Sequence, residues 1–448
     1  MSLEKFYKSL SGKNAFPLEP DSRLYVPIHD ANPEKDPIRA LLTRIKFAES
    51  ESVNLLTGFR GNGKSTELRR LKKLLEELGY KVFLVDMLKH MVMVKPVELS
   101  DFILSLTTAL TISVQDEEGF DAVREGYWER LVAFLNSEVK IKDLTLAVEA
   151  GTGSAELALA LRTDHNLKKR VQEHLRGHLT TLVKDAQKFV MDIVTTLRAK
   201  EQNEDLKVVL LIDSLEQLRG TGTDAQEVYS SVVELFSGQA SNLEFPFLHV
   251  VYTVPPYLSA MAGNIGRLLG GHPISSWPNI HVRDENGNDD DAGMKIMEEI
   301  IAKRYSRWAE FFQPTQLYRL ARSSGGDIRD FFRLVRECLV LLDTTGGTKV
   351  KEYILDSVEQ QLLGELTPIA IEDADWLARI EQSKETSLQR IEDLPRLARF
   401  LDGNLIMNYQ NGHPWYDVHP LLREEIKSLT SASGDPAGDS QEEEEHKQ

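Results

Sequence analysis

The residues most able to do chemistry form a glycine-rich segment, GFRGNGKS, at positions 58–65. The spacing G-x-x-x-x-G-K-[ST] lets backbone N–H groups point into one concavity and bind phosphate, and a following helix adds the positive end of its dipole. In such a loop Lys64 would reach the β- and γ-phosphates of a nucleotide, and the hydroxyl of Ser65 would bind Mg²⁺. The residues predicted to bind the nucleotide are Gly58, Gly61, Asn62, Gly63, Lys64, Ser65 and Thr66.

A second apolar run, VVLLIDSLEQL at 208–218, carries two acids near its end. In an open parallel sheet the carboxyl ends of the strands face the ligand crevice. Asp213 is therefore predicted to hold Mg²⁺, directly or through water. Glu216, three residues later, is the candidate to orient or deprotonate the attacking water. A buried strand that ends in a solvated acidic turn would show the same pattern, but the phosphate loop upstream favours the magnesium role.

The elements around the glycine-rich segment decide whether it is a phosphate loop or only a turn. An apolar run at 53–57 precedes it, and a helix is predicted from Lys64 to about Leu78, followed by a short apolar strand at 81–87. The apolar residues of this helix fall on one face: Leu68, Leu71, Leu74, Leu75 and Leu78. Strand, loop, helix and strand make a βαβ unit, which predicts an α/β fold with a parallel sheet. Further strands are predicted at 206–218 and 245–258, and a last one at 278–282.

The rest of the chain is predicted to add helices to this core. The region from about 95 to 205 reads as an insertion, with a candidate hairpin around AGTGS, whose second half would also make a helix, and a long amphipathic helix from Asp164 to about Lys200. A further hairpin is predicted to turn at Asn411-Gly412. The predicted domains are a lead-in (1–40), a P-loop core (41–283), a small helical lid (284–345), a winged-helix-like domain (346–428) and a disordered acidic tail (429–448).

Composition limits the class of protein. The chain of 448 residues has 53 basic and 70 acidic side chains, a formal charge of −17, which argues against the broad basic field of non-specific nucleic-acid binding. A local DNA-reading patch remains an alternative. No apolar segment reaches the length of a membrane span, and the first residues lack the apolar core of a secretory signal. The one cysteine, Cys338, is predicted to be buried, and the expected location is the cytoplasm.

The order of these motifs resembles the AAA+ ATPases, closest to their origin-recognition-like and STAND-type branches. The resemblance covers roughly residues 40 to 425 and is clearest at the phosphate loop, at the acidic strand end and at SGGDIRDFFRL. It implies ATP and Mg²⁺ as ligands. It also implies that Arg329 of the GDIR motif is sensor 2, which reaches the γ-phosphate, and that Thr253, in HVVYTVPP, is sensor 1.

Two positions depart from the family pattern. Ser214 stands where many AAA+ enzymes have a glutamate after the strand-end aspartate, which predicts slow hydrolysis. The strand that carries Thr253 is not followed by the arginine that STAND relatives often have. No trans-acting arginine finger can be assigned, and the candidates for that role are Arg267 and Arg283.

The sequence supports two hypotheses about function. The first is a slowly hydrolysing ATPase that acts as a nucleotide-dependent switch, controlling self-association or an effector protein, as in bacterial signalling or phage defence. The alternative is a DNA-binding initiator or loader that contacts duplex DNA through the winged helix. The basic residues there are Arg390, Arg396 and Arg399, but acids offset them and Pro395 interrupts the helix near its start. Nucleic acid is therefore the less favoured partner.

Overall fold

The structure of the protein is a computed structural model that describes most of the chain. The described ranges are 2–12, 17–29, 33–118, 176–220, 225–261, 265–269, 271–388, 390–411 and 413–433, with the single residues 166 and 170. The hairpin predicted around AGTGS and nearly all of the first half of the predicted long helix lie outside these residues. Among the described helices, none is both long and apolar enough to cross a membrane.

A five-stranded parallel sheet lies in the part of the chain that carries the glycine-rich segment. Its strands are β1 (Ser52–Thr57), β2 (Lys81–Asp86), β3 (Val208–Asp213), β4 (Leu248–Val254) and β5 (Ser275–Ser276), in the order β2-β3-β4-β1-β5. Every pairing is parallel. Every residue of β3 and β4 is buried, as expected for a sheet covered by helices on both faces. The predicted α/β fold with a parallel P-loop core is thereby confirmed.

The helices follow in chain order. They are α1 (Ser2–Ser9), α2 (Pro37–Phe47), α3 (Lys64–Glu77), α4 (Leu99–Glu118), α5 (Leu179–Lys200), α6 (Ala225–Ser237), α7 (Pro256–Met261), α8 (Ile265–Leu268), α9 (Asp291–Arg304), α10 (Pro314–Ser323), α11 (Ile328–Thr344), α12 (Glu352–Leu366), α13 (Ile371–Ser383), α14 (Leu394–Asp402) and α15 (Arg423–Ser433). A separate antiparallel hairpin, β6 (Ile406–Asn411) and β7 (His413–Val418), confirms the predicted strand pair, whereas position 412 of its predicted turn lies outside the described residues.

The chain divides into two compact units. The sheet unit, as we name it, is drawn from residues 11–278 and 390–402 and contains the parallel sheet. The hairpin unit is drawn from 1–10, 279–389 and the residues from 403 onward, and contains the hairpin and most of the C-terminal helices. Each unit has its own core. In the sheet unit, apolar residues of α2 and α3 pack on the sheet. In the hairpin unit, Phe6 stacks on Tyr305 and Cys338 is fully buried.

Three local predictions were wrong at their edges. The last strand is Ser275–Ser276 and not 278–282; Pro278 has no N–H for a ladder, and Asn279 instead donates its N–H to the carbonyl of Asn408 in the hairpin unit. The helix expected to run unbroken from Asp164 to about Lys200 is interrupted by a 3₁₀ turn at Arg176–His178, after which α5 runs from Leu179 to Lys200. Helix α15 extends to Ser433, so residues 429–433 of the predicted disordered tail are helical.

Helix α14, which the winged-helix prediction would offer to DNA, is part of the sheet unit. It packs against α6 and α7, the helices that follow β3 and β4. Its inward face is apolar: Leu394, Leu397, Ala398, Phe400 and Leu401. At its end the hydroxyl of Tyr229 donates a hydrogen bond to Oδ2 of Asp402 at 3.2 Å. Of the arginines on this helix, Arg399 is exposed.

The burial of Asp402 predicts a pH dependence of stability. Burial raises the pKa of Asp402 to about 7, against the smaller opposing effects of the Tyr229 hydroxyl and the Arg219 charge. Because the folded pKa lies above the unfolded value of 3.8, this group's contribution is full below about pH 4 and is lost as pH rises through about 7. We expect Asp402→Asn to raise the free energy of unfolding at pH 8 by about 1–2 kcal/mol and to flatten its fall between pH 5 and 8.

Urea denaturation at a series of pH values tests this expectation. The exposed Glu392→Gln, in the segment just before the helix, is the matched control and should leave the pH profile unchanged. A loss of stability at pH 8 in Asp402→Asn would mean that the folded protein uses the charged carboxylate, contrary to the prediction.

Candidate nucleotide-binding site

The glycine loop connects strand β1, which lies between β4 and β5, to helix α3, and two of its glycines are required by geometry. Gly63, the residue that caps α3, has φ 89°, a left-handed conformation that favours glycine. At Gly58 a Cβ atom would lie 2.5 Å from the carbonyl oxygen of Trp277, which is too close for any side chain. The local sequence therefore produces the tight turn into a helix N-terminus that a phosphate loop requires.

The side chain of Lys64 lies along the loop that precedes it. It is 3% exposed, and its Nζ donates hydrogen bonds to the carbonyl oxygens of Gly58 at 2.8 Å and of Phe59 at 2.6 Å. The same Nζ is 3.7 Å from Oε1 of Glu216. A buried ammonium beside a glycine loop of this spacing is the group that binds phosphate oxygens.

The two residues predicted to bind magnesium are in contact. The hydroxyl of Ser65 hydrogen bonds to the carboxylate of Asp213, which also accepts the N–H of Ser214 at 2.8 Å. Burial and then the negative charge of Glu216 raise the pKa of Asp213 to about 6, against the lowering effects of the Ser65 hydroxyl, the Ser214 N–H and the Lys64 charge. A hydroxyl and a carboxylate are hard oxygen ligands, and the excess negative charge around Asp213 is what a divalent cation would compensate. The residues therefore fit Mg²⁺.

Glu216 lies in a 3₁₀ turn directly after β3, Leu215–Gln217. Its side chain is buried to 8% exposure, and Oε2 has no hydrogen-bond partner among the described residues. A buried carboxylate oxygen with a free acceptor position near Lys64 is suited to accept a proton from water. The predicted base is thus brought to the same place as the lysine and the metal ligands.

The structure gives a physical reason for Ser214. Its backbone is left-handed, with φ 75°, and this turns the chain from β3 into the turn that carries Glu216. Its hydroxyl donates to Oδ1 of Asp86, at the end of the neighbouring strand β2, at 2.7 Å. With the same orientation, a glutamate at this position would place its carboxylate towards that of Asp86, and like charges repel.

Thr253 makes a hydrogen bond that the sequence did not predict. It is fully buried on β4, between β1 and β3, and its Oγ1 accepts the N–H of Leu215 at 3.0 Å. This hydrogen bond holds the backbone of the turn that contains Glu216. Thr253 therefore positions the candidate base, and its role as sensor 1 stays a prediction.

The predicted arginines lie in different surroundings. Arg329 is exposed in the first turn of α11, which is capped by the carboxylate of Asp327, and its role as sensor 2 stays a prediction. Arg283 is wrong as an arginine finger, because it is buried within the hairpin unit, where its Nη2 donates to the carbonyl of Val418 at 3.4 Å and lies 3.5 Å from Oδ2 of Asp417. Arg267 is exposed on α8.

No local pattern predicted the residues from elsewhere in the chain that contact the glycine loop and helix α3. The lead-in contacts α3: the N–H of Leu18 donates to Oγ1 of Thr66 at 3.0 Å, and the hydroxyl of Tyr25 donates to Oε1 of Glu67 at 3.0 Å. The hydroxyl of Thr66, a residue predicted to bind the nucleotide, thus accepts a hydrogen bond from the lead-in. Trp277, which follows β5, donates its indole N–H to the carbonyl of Asn62 at 2.8 Å. These partners are too far apart in the chain for any local motif to reveal.

A charged network extends the contact between the lead-in and α3. Nη2 of Arg70 donates to both carboxylate oxygens of Asp36 at 2.8 Å, and its Nε donates to Oε2 of Glu67 at 2.6 Å. Burial raises the pKa of Glu67, although Arg70 and Tyr25 oppose the shift. Asp36 in turn caps α2 by accepting the N–H of Ile38. The network ties the residues before the sheet to the helix of the phosphate loop.

Solved structures of several proteins are similar to this chain. Over 96% of this chain and 98% of the other, it is similar to the ORC2 protein of Aeropyrum pernix in its ADP form, with 11% identity and a TM-score of 0.43. It is similar to Drosophila ORC bound to DNA, with 12% identity, 96% and 91% coverage and a TM-score of 0.39. It is also similar to the RuvB Holliday junction branch migration motor of Thermotoga maritima, with 14% identity, 90% and 95% coverage and a TM-score of 0.36.

Neither a family model nor a curated protein matches the sequence. The interpretation of the site therefore depends on the chain's own geometry. Its parallel sheet carries a glycine loop between β1 and α3, with Lys64 lying along that loop and Ser65 bonded to Asp213 at the end of β3. The sheet and the geometry of the glycine loop together identify an α/β fold with a parallel P-loop core.

Proposed function

We propose that this protein binds ATP with Mg²⁺, hydrolyses it slowly and uses the bound nucleotide as a conformational or assembly switch. The observation that supports the proposal most is the convergence of Lys64, Ser65, Asp213 and Glu216 at one end of the sheet. Lys64 would bind the β- and γ-phosphates, and Ser65 and Asp213 would hold the metal ion, which neutralises charge on the phosphates when it is bound. Glu216 would accept a proton from the attacking water.

Slow turnover is part of the proposal. Ser214 takes the position of the usual second acid and is bonded to Asp86, so Glu216 is the one acid that follows Asp213 in this turn.

The proposed output is association with a second copy or with an effector protein in the cytoplasm, as in the STAND-type switches of bacterial signalling or phage defence. Thr253 as sensor 1 and Arg329 as sensor 2 would report the nucleotide state. The acidic overall charge of −17 favours a protein partner over nucleic acid.

Measuring the size of the protein in three nucleotide states tests the switch. We expect ATP with Mg²⁺ to change the mass or hydrodynamic radius, measured by light scattering after size exclusion, relative to ADP and to the nucleotide-free protein. Lys64→Ala is the control and should show one size in all three conditions. Equal mass and equal radius for the wild type in all three conditions, while ATP is bound, would contradict the switch and leave ATP binding intact.

Binding of duplex DNA is the second candidate function. Two observations favour it: Arg399 is exposed on α14, and one of the similar solved structures is ORC bound to DNA. Binding that weakens steeply with salt, and that is lost in Arg396→Ala with Arg399→Ala, would support this candidate. Absence of salt-dependent binding at low ionic strength would exclude it.

A further inference from the structure

Trp277 contacts the phosphate loop at both of its ends. Its backbone N–H donates to the carbonyl of Thr57, the last residue of β1, at 2.7 Å. Its indole Nε1 donates to the carbonyl of Asn62, next to the end of the loop, at 2.8 Å. The side chain is 2% exposed. One residue, 215 positions away in sequence from Asn62, therefore joins the beginning of the loop to its end.

The indole of Trp277 contacts the loop through a carbonyl group, that of Asn62. A phosphate loop binds phosphate through its backbone N–H groups, so this hydrogen bond does not compete with phosphate. The tight fit continues at Gly58, where the carbonyl of Trp277 occupies the space that a Cβ would need.

A comparison with Trp415 indicates that the hydrogen bond of Trp277 is specific. Trp415 has the same 2% exposure, yet its indole N–H has no acceptor in the described part of the chain. It is held by stacking on Tyr409, with ring centroids 4.4 Å apart. A buried tryptophan of this protein can therefore pack without donating, and packing alone does not account for the bond to Asn62.

We propose that Trp277 is a positioning residue for nucleotide binding, which holds the phosphate loop in its binding conformation before the nucleotide arrives. The inference rests on the proposed ATP binding. The loop from Gly58 to Gly63 contains three glycines, so its backbone would lose much conformational freedom on closing around phosphate. Because Trp277 already holds Thr57 and Asn62 in the free protein, this conformational entropy is lost on folding and not on nucleotide binding.

The test is the removal of the indole donor. We expect Trp277→Phe to weaken ATP and ADP binding, measured by calorimetry, by about tenfold, the effect of one buried hydrogen bond. We also expect faster hydrogen exchange at the amides of residues 58–64 in the nucleotide-free protein. Trp415→Phe removes the same ring elsewhere and should change neither measurement. A tryptophan analogue at position 277 with sulfur in place of the indole nitrogen keeps the ring and removes only the donor, should the phenylalanine variant fail to fold.

The outcomes separate this inference from the proposed function. Weaker nucleotide binding and faster hydrogen exchange in the loop of the position-277 variants, with Trp415→Phe unchanged, support the positioning role of Trp277. Unchanged affinity together with unchanged loop exchange overturns it, as does an equal effect in Trp415→Phe. If the wild type binds neither ATP nor ADP, the proposed function fails, and loop exchange alone then decides whether Trp277 holds the loop.

Discussion

Replacing Lys64 with alanine is expected to weaken ATP binding by at least about 100-fold, because a buried, charge-assisted contact to the phosphates is lost. The ammonium is enclosed, with Nζ bonded to the carbonyls of Gly58 and Phe59, so no water-filled surface site could substitute for it. The fold should survive, because the change removes no side chain of the apolar core, although it takes a positive charge away from the buried carboxylate of Glu216. Calorimetric titration with ATP and Mg²⁺, alongside a thermal unfolding curve, measures both quantities.

The matched control for this variant is Lys73→Ala. Lys73 is on the same helix α3 but is exposed, so its removal changes the net charge equally and leaves the loop intact. We expect wild-type affinity from it. Wild-type ATP affinity in Lys64→Ala would show that the phosphates bind elsewhere and would overturn the site.

Replacing Glu216 with glutamine is expected to lower the rate of ATP hydrolysis by about 100-fold or more while ATP affinity changes little. Glutamine keeps the shape of the side chain and the oxygen that faces Lys64, but it cannot accept a proton from water.

Asp213→Ala should behave differently. Loss of the Asp213 carboxylate removes the bond to Ser65 and a proposed metal ligand, so the dependence of ATP affinity on Mg²⁺ should disappear. Turnover and affinity, each measured with and without Mg²⁺, distinguish the two variants.

Glu227→Gln controls for the loss of one negative charge close to this turn, since Glu227 is exposed at the start of α6. It should hydrolyse ATP at the wild-type rate. Wild-type turnover in Glu216→Gln would mean that Glu216 is not the base, and the slow hydrolysis would then need another acceptor.

The parts of this site that the sequence predicts are those in which adjacent residues share one task. In the loop from Gly58 to Ser65, and at the strand end at Asp213, the residues that act together lie within a few positions of one another. The local backbone geometry therefore places them at one phosphate-binding loop or at one metal ligand. The strands of the sheet are predicted for a similar reason. Short apolar runs such as VVLLID, with acids or glycines at their ends, indicate buried strands.

The contacts that sequence reasoning missed join residues far apart in the chain. Leu18 is 48 positions from Thr66, and Trp277 is 215 from Asn62; neither pair has a local pattern that marks it. Thr253 was identified by its place at the end of a strand. The sequence did not predict that its hydroxyl accepts a hydrogen bond from the backbone N–H of Leu215. The helices against which α14 packs were likewise not predicted, because no local pattern marks α6 and α7 as its partners.

The chain passes between the sheet unit and the hairpin unit four times, after residues 10, 278, 389 and 402. A gene fusion that exchanged everything after residue 345 for another C-terminal region would remove α14 from its place on α6 and α7 and uncover their apolar surface. We therefore expect that recombination cannot exchange the C-terminal region by itself. Substitutions in α14 must be matched by substitutions in the rest of the sheet unit, which favours the inheritance of both units together.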